Sequence, residues 1–100
     1  MTYDPFLLLC AAHGLPVPET EVVFAPPRKF RADYLFRSAK VIVEKNGAVW
    51  MKGGHSSGKG IMRDYEKSNL AQLLGWRLFS FTPQQLNSGE AVEFLKQVFA

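Results

Sequence analysis

The stretch FRADYLFRSAKVIVEK, residues 30–45, contains the two predicted strands on which the rest of the fold depends. FRADYLF (Phe30 to Phe36) carries its aromatic residues at even positions, the alternation of a half-buried strand. KVIVEK (Lys40 to Lys45) is rich in β-branched residues, which favour a strand buried on both faces. The short connection between them predicts an antiparallel hairpin.

Each of these strands carries an acid where a sheet usually holds apolar residues, Asp33 in the first and Glu44 in the second. A four-residue turn pairs Phe36 with Val41 and sets Asp33 opposite Glu44, whereas a two-residue turn sets the acids on a diagonal. In both registers the carboxylates share a face, roughly 5 to 8 Å apart at the β-carbons. Two anions so close need a counter-charge, which a divalent cation bound by oxygens would supply. Alternatively, each acid is a strand-end residue that meets a neighbouring cation or solvent.

The segments around the hairpin predict three helices and two more strands. Asp4-Pro5 starts a helix that Gly14 ends, Gly75 stops another, and Thr82-Pro83-Gln84-Gln85 has the form of a capping box. The remaining predictions are strands at EVVFA (residues 21–25) and WRLFSF (76–81), and helices over 61–74 and 90–99. The order α-β-β-β-α-β-α indicates an α/β fold in which a mixed sheet carries helices on its faces.

The composition indicates one small domain. The chain has 100 residues, 47% of them hydrophobic, and a formal net charge of +3. Cys10 is the single cysteine, so an internal disulfide is excluded, and no Cys/His spacing around it suggests zinc. No stretch is long enough to span a membrane and FLLLCAA has no basic leader, so we expect a protein of the reducing cytoplasm.

The glycine-rich stretch GGHSSGKG, residues 53–60, fits most of a nucleotide-binding phosphate loop. Its last position fails, because Gly60 offers no hydroxyl for a magnesium ion. We therefore interpret it as a loop beside another kind of phosphate chemistry rather than as a nucleotide-binding site.

The helix that follows the loop has a mixed stripe. Helical spacing places Met62 and Leu73 on the side expected to face the sheet, and Arg63 and Glu66 fall within the same stripe, with Lys67 on its flank. A polar half-stripe suggests that this end of the helix borders a charged cavity. The alternative is that its charged residues pair with each other or extend into solvent.

Taken in order, three segments resemble the small PD-(D/E)XK nucleases. These share their core with very-short-patch repair endonucleases and archaeal-type Holliday-junction resolvases, and compact phage proteins of this type have similar sequences. The three segments are VVFAPPRKFRADYLF, KVIVEKNGAVWMKGGH and RDYEKSNLAQLLGWRLFSFT, and the resemblance covers Glu21 to Thr82. It implies one restriction-endonuclease-like domain over residues 1–100, an αβββαβα core with helices on both faces of a four-stranded sheet. It also implies a DNA endonuclease that uses Mg²⁺ or Mn²⁺.

The resemblance assigns roles residue by residue. Asp33, Glu44 and the Lys45 carbonyl would bind the metal, Lys67 would hold the attacking water or transition-state oxygens, and Asp64 matches the acid one turn before it. His55 matches a loop histidine of the group, and Glu21 corresponds to an additional upstream acid. The expected nucleic-acid contacts are Arg28, Lys29, Arg31, Lys52, Ser56, Ser57, Lys59 and Arg63.

One departure from the family pattern concerns the lysine expected two residues after the strand acid. Asn46 stands there, so Lys67 on the following helix would have to supply the cation. We expect a structure-selective enzyme, which would be a homodimer if it resolves symmetric junctions and a monomer if it nicks one strand. The alternative from another class is a nucleic-acid-binding module of the same fold that cuts poorly or not at all.

Overall fold

The structure, a computed structural model, describes residues 4–46 and 58–100. Its helices and strands are α1 (Pro5–Ala12), β1 (Glu19–Val23), β2 (Arg31–Phe36), β3 (Val41–Lys45), α2 (Gly58–Leu73), β4 (Arg77–Phe81), α3 (Pro83–Ser88) and α4 (Glu90–Leu95). The predicted order is confirmed, with a further short helix, α3, before the closing one. The possible strand extension at AVWM (residues 48–51) lies outside the described residues.

The four strands form one mixed sheet in the order β1-β2-β3-β4. The first three strands run antiparallel to their neighbours, and β4 runs parallel to β3 after the chain has passed through α2. Phe36 pairs with Val41, so the four-residue turn between β2 and β3 is the one the structure contains. The mixed α/β class is therefore confirmed.

Helices cover both faces of the sheet. On one face, α1, α3 and α4 pack over a cluster that includes Phe6, Cys10, Phe36, Val43 and Leu95, all buried. On the other face a smaller cluster places Ala71 of α2 and Trp76 against Leu35 and Ile42. The larger core thus lies on the side of the three shorter helices, whereas α2 contributes little apolar burial over its first three turns.

Several predicted helix boundaries are confirmed by their hydrogen bonds. Asp4 caps α1 by accepting the Phe6 N–H at 2.9 Å, and the Thr82 and Gln85 side chains form the reciprocal bonds of a capping box at the start of α3. Gly75 adopts φ +91° after α2, the left-handed conformation that suits glycine. Among the helices of residues 4–46 and 58–100, none is long and apolar enough to span a membrane.

Three elements have bounds that differ from the prediction by two residues or more. β1 begins at Glu19 rather than residue 21, because Glu19 already pairs with Leu35 of β2. It ends at Val23 rather than residue 25, because Val23 is opposite Arg31, the first residue of β2. α2 begins at Gly58, so the last three residues of the glycine-rich stretch are helical and Lys59 lies in the first turn of α2. α4 ends at Leu95, and the chain continues in turns that still pack Val98 and Phe99 against the larger cluster.

The predicted sheet-facing side of α2 is wrong. Met62 is 67% exposed and Leu73 is 81% exposed, whereas Ala71 is fully buried. The helix is turned so that Lys67 and Ala71, one turn apart, lie towards the sheet. Counting apolar residues failed because the contact face consists of one small residue and charged groups.

Candidate functional site

The pleat of β2 is irregular at Asp33. The β1–β2 pairing joins Thr20 with Tyr34 and Val22 with Ala32, but Glu21 and Asp33 between them are not paired, and Glu21 has φ +54°. Ala32 belongs to the cluster beneath α2, whereas Tyr34, two residues later, belongs to the cluster on the opposite face. The prediction that the even positions of this strand share one face is therefore wrong, because the alternation reverses at Asp33.

The carboxylates of Asp33 and Glu44 take the place of ladder hydrogen bonds at the end of the β2–β3 hairpin. The Asp33 N–H donates to Oε2 of Glu44 at 2.8 Å, and the Lys45 N–H donates to Oδ2 of Asp33 at 2.8 Å. The regular pairing stops one residue earlier, at Tyr34 and Val43. The Glu44 carboxylate thus satisfies the N–H of Asp33, and the Asp33 carboxylate satisfies the N–H of the residue after Glu44.

Lys67 reaches this strand end from α2. Its ammonium donates to Oε1 of Glu44 and to the backbone carbonyl of Arg31. The Lys67 and Glu44 side chains are 17% and 16% exposed. Burial raises the pKa of Glu44 above its ordinary value, and the negative charge of Asp33 adds to this, although Lys67 and the Asp33 N–H act in the opposite direction. Burial thus disfavours the ionised form of Glu44 even with its lysine in place.

Two cavities meet at this end of the sheet. A cavity of about 210 Å³ lies against α2, lined by Glu44, Lys45, Asn46, Asp64, Lys67, Ser68, Leu78 and Ser80. A cavity of about 650 Å³ lies against α1, lined by Asp4, Leu7, Thr20, Glu21, Asp33, Tyr34 and Lys45. Lys45 borders both, so the two spaces adjoin at the last residue of β3.

The prediction that the two carboxylates share one face of the sheet is wrong. Glu44 lines the cavity against α2 and Asp33 lines the cavity against α1. The register is the predicted one, but Asp33 leaves the regular pleat and binds the Lys45 N–H at the end of the ladder. The carboxylates thus approach each other around the strand end, close enough for Asp33 to raise the pKa of Glu44.

A cluster of two arginines and one glutamate lies near the start of α2. Phe30, which is buried, is contacted by two guanidinium groups, with Cζ of Arg28 at 4.5 Å and Cζ of Arg63 at 5.0 Å from the ring centroid. Arg28 also forms an ion pair with Glu66 of α2. These contacts connect the segment before β2 to the first turns of α2 and hold two arginines on the same side of the molecule.

The structure brings together most of the described site residues. Glu44, Lys45, Asp64 and Lys67 share the smaller cavity, and Glu21 borders the larger cavity with Asp33. Among the expected nucleic-acid contacts, the exposed residues are Arg28, Lys29, Arg31, Lys59 and Arg63. Four predicted site residues lie outside the described part of the chain: Lys52, His55, Ser56 and Ser57.

Sequence reasoning missed two hydroxyl groups at the smaller cavity. Ser68 follows Lys67 on α2 and lies four residues after Asp64, so helical spacing could have placed it on the same side. Ser80 of β4 is aligned with Glu44 across the parallel β3–β4 pair, but no sequence signal gives that register. These hydroxyls add neutral hydrogen-bonding groups beside the four charged residues of the cavity.

Comparisons with known proteins provide no family for this chain. No family model, characterised protein or solved structure gave a significant match. Within residues 4–46 and 58–100, no group of three or more His, Cys, Asp or Glu side chains is arranged to hold a metal ion. The function must therefore be argued from the strand end formed by Asp33, Glu44 and Lys67.

Proposed function

We propose that this protein is a divalent-metal-dependent DNA endonuclease with a restriction-endonuclease-like core, acting on branched or nicked duplexes. The observation that carries the proposal is the meeting of Asp33, Glu44 and Lys67 at the end of the β2–β3 hairpin. Two acids and one helix-borne lysine are the groups that the resemblance to PD-(D/E)XK nucleases assigns to metal binding and phosphate chemistry. Their meeting through three separate segments of chain supports that assignment.

The donor set at the strand end is suited to Mg²⁺ or Mn²⁺. Mg²⁺ is commonly bound by one or two carboxylates while waters and substrate phosphate oxygens complete its shell, so a cluster of three acids is not required. Asp33, Glu44 and the carbonyl of Lys45 would hold the ion, and its charge would offset the cost of burying the Glu44 carboxylate. When bound, such an ion neutralises phosphate charge and acidifies a water molecule.

The protein's own side chains would position the DNA backbone around this point. The Lys67 ammonium is the cation nearest to Glu44 and would stabilise charge that develops on phosphate oxygens. Arg28 and Arg63, held against Phe30, would bind phosphates next to the cut. Contacts of this kind give affinity that depends on salt but carry no base specificity.

The experiment that tests the proposal compares linear, nicked and four-way DNA side by side, with Mg²⁺ and with EDTA, while the protein is sized in solution. The proposal expects cleavage of branched or nicked substrates that requires the metal. Paired cuts by a dimer would indicate a junction resolvase, and single cuts by a monomer would indicate a nickase. If purified protein leaves every substrate intact across Mg²⁺ and Mn²⁺ concentrations, the proposal fails.

A nucleic-acid-binding module without turnover is the second candidate, because internal donors occupy both oxygens of Glu44. The carboxylates would then serve to complete the hairpin, and Asn46 in place of the usual lysine agrees with a lack of turnover. This candidate expects a gel shift with DNA, no cleavage with any metal, and little effect of Asp33→Asn on binding. The nuclease proposal expects cleavage that Asp33→Asn removes.

A further inference from the structure

Both oxygens of the Glu44 carboxylate are occupied, but by donors of different kinds. Oε2 accepts from the backbone N–H of Asp33, which the hairpin fixes in place. Oε1 accepts from the ammonium of Lys67, which stands at the end of four rotatable side-chain bonds. A cation that approaches Glu44 therefore meets one oxygen held by the backbone and one oxygen held by a side chain that can move.

Lys67 is held by two acceptors at this point. Besides Glu44, its ammonium donates to the carbonyl of Arg31, so it connects α2 to both β2 and β3. In this arrangement the ammonium supplies the positive charge that a half-buried carboxylate requires. It occupies the position, relative to Glu44, that an external cation would need.

We infer that Lys67 is a displaceable counter-ion of Glu44, and that a divalent cation enters this site by expelling the ammonium into the neighbouring cavity. The inference rests on the proposed function, because it concerns how the same site takes up its metal. A single and a double positive charge cannot both lie against Oε1 of one half-buried carboxylate without strong repulsion. Metal binding and the Lys67–Glu44 pair are therefore mutually exclusive.

The cavity against α2 offers the displaced ammonium a new position. Asp64 lies one turn before Lys67 on the same helix and lines the same cavity, together with the hydroxyls of Ser68 and Ser80. A lysine that leaves Glu44 therefore reaches another carboxylate without leaving the site. From there it faces the space in which a phosphate would approach the metal, so the lysine would be delivered to the DNA only after the metal is bound.

The first test follows the reactivity of the Lys67 amine in the unaltered protein. Lysines are acetylated briefly with and without Mg²⁺ or Mn²⁺, without DNA, and the modification of each is quantified by peptide mass spectrometry. We expect the metal to raise Lys67 modification by at least about threefold, because the ammonium leaves its two acceptors for a position beside exposed Asp64 where solvent reaches it more freely. Modification of Lys96, whose side chain is 42% exposed, should stay unchanged. Metal binding measured by calorimetry in the same sample with no rise at Lys67 would overturn the inference.

The second test measures metal affinity in two lysine variants. Lys67→Met removes the competing charge and should bind Mn²⁺ at least about tenfold more tightly than the unaltered protein. Lys96→Met is the matched control, because it breaks another Lys–Glu pair, at the C-terminal end of α4 on the face of the sheet opposite α2, and should leave the affinity unchanged. If Lys67→Met does not fold, the amine-reactivity experiment decides the question alone.

The outcomes separate this inference from the proposed function. If the unaltered protein binds the metal but Lys67 reactivity does not rise, or folded Lys67→Met binds the metal no more tightly, only the displacement is wrong and the nuclease proposal stands. If neither the unaltered protein nor Lys67→Met binds a divalent ion in calorimetry, both proposals fail together.

Discussion

Removing the Lys67 ammonium should destabilise the protein through the charge it leaves behind on Glu44. Both side chains are about one-sixth exposed, at 17% and 16%, so the pair is partly shielded from water. Removing one partner of a buried ion pair costs about 3 to 5 kcal/mol, and the lower end applies here because some solvent reaches both groups. We therefore expect Lys67→Met to lower the free energy of unfolding by about 3 kcal/mol.

In a domain of 100 residues, a loss of this size corresponds to a fall in Tm of roughly 12 to 24 °C. Denaturant unfolding at pH 7 followed by circular dichroism measures it directly. The double variant Glu44→Gln/Lys67→Met should recover more than about 1 kcal/mol of the loss, because it no longer buries an unpaired carboxylate. Lys96→Met, whose partner Glu93 is exposed, should unfold close to the unaltered protein.

The penalty should also depend on pH, with a sign set by the raised pKa of Glu44. Its ordinary value is 4.5 and burial raises it in the folded protein, and loss of Lys67 removes an interaction that lowers it. Between 4.5 and the raised pKa, the folded Lys67→Met protein binds more protons than the unfolded chain, so its stability falls as the pH rises through that window. The penalty should therefore be smaller at pH 4 than at pH 7. Equal penalties at both pH values, or a Tm for Lys67→Met that matches Lys96→Met, would mean that Lys67 does not compensate a buried charge on Glu44.

Three further predictions concern other parts of the molecule. Arg63→Ala should weaken DNA binding and lower the slope of affinity against salt by about one unit, whereas Arg37→Ala, at the opposite end of the hairpin, should leave the slope unchanged in the same titration. Tyr34→Phe should lower the free energy of unfolding by about 1 to 2 kcal/mol, because the Tyr34 hydroxyl donates to Asp4 at 2.7 Å. Burial raises the pKa of Tyr34 above its ordinary value of 10. As the pH rises above 10, the variant should therefore lose less stability than the unaltered protein. Thr82→Ala should cost about 1 kcal/mol by removing the cap of α3, and an unchanged unfolding midpoint would contradict the role of that capping box.

Local signals in the sequence predicted the hairpin and the helix ends. The hairpin was predicted with two possible registers, because turn length determines register, and the structure contains the one in which a four-residue turn through Arg37 to Lys40 pairs Phe36 with Val41. Asp4, Gly75 and Thr82 marked helix ends because their effects depend only on neighbouring backbone groups. The acids could be placed near one another because they lie on the two strands of this hairpin, whereas the place of Lys67 beside them came from the resemblance to PD-(D/E)XK nucleases.

Features that depend on distant contacts were not predictable in this way. The reversal of faces at Asp33 comes from side chains that replace ladder bonds, and counting alternate residues assumes an unbroken pleat. The rotation of α2 was missed because its contact with the strand end is made by Lys67 and Ala71 rather than by its large apolar residues. The alignment of Ser80 with Glu44 depends on how the segment through α2 returns to the sheet, which no local pattern determines.

The most direct measurement of the central claim is the rate of magnesium-dependent cleavage by Asp33→Asn beside Glu19→Gln. An asparagine at position 33 can still accept the Lys45 N–H, so the strand end keeps its hydrogen bond while losing one negative charge. Glu19 is an exposed acid on β1 paired with Arg37, so Glu19→Gln removes an equal charge from the same sheet. We predict that Glu19→Gln cleaves at the rate of the unaltered protein and that Asp33→Asn is slower by at least about a hundredfold. Equal magnesium-dependent rates for the two variants would contradict the account.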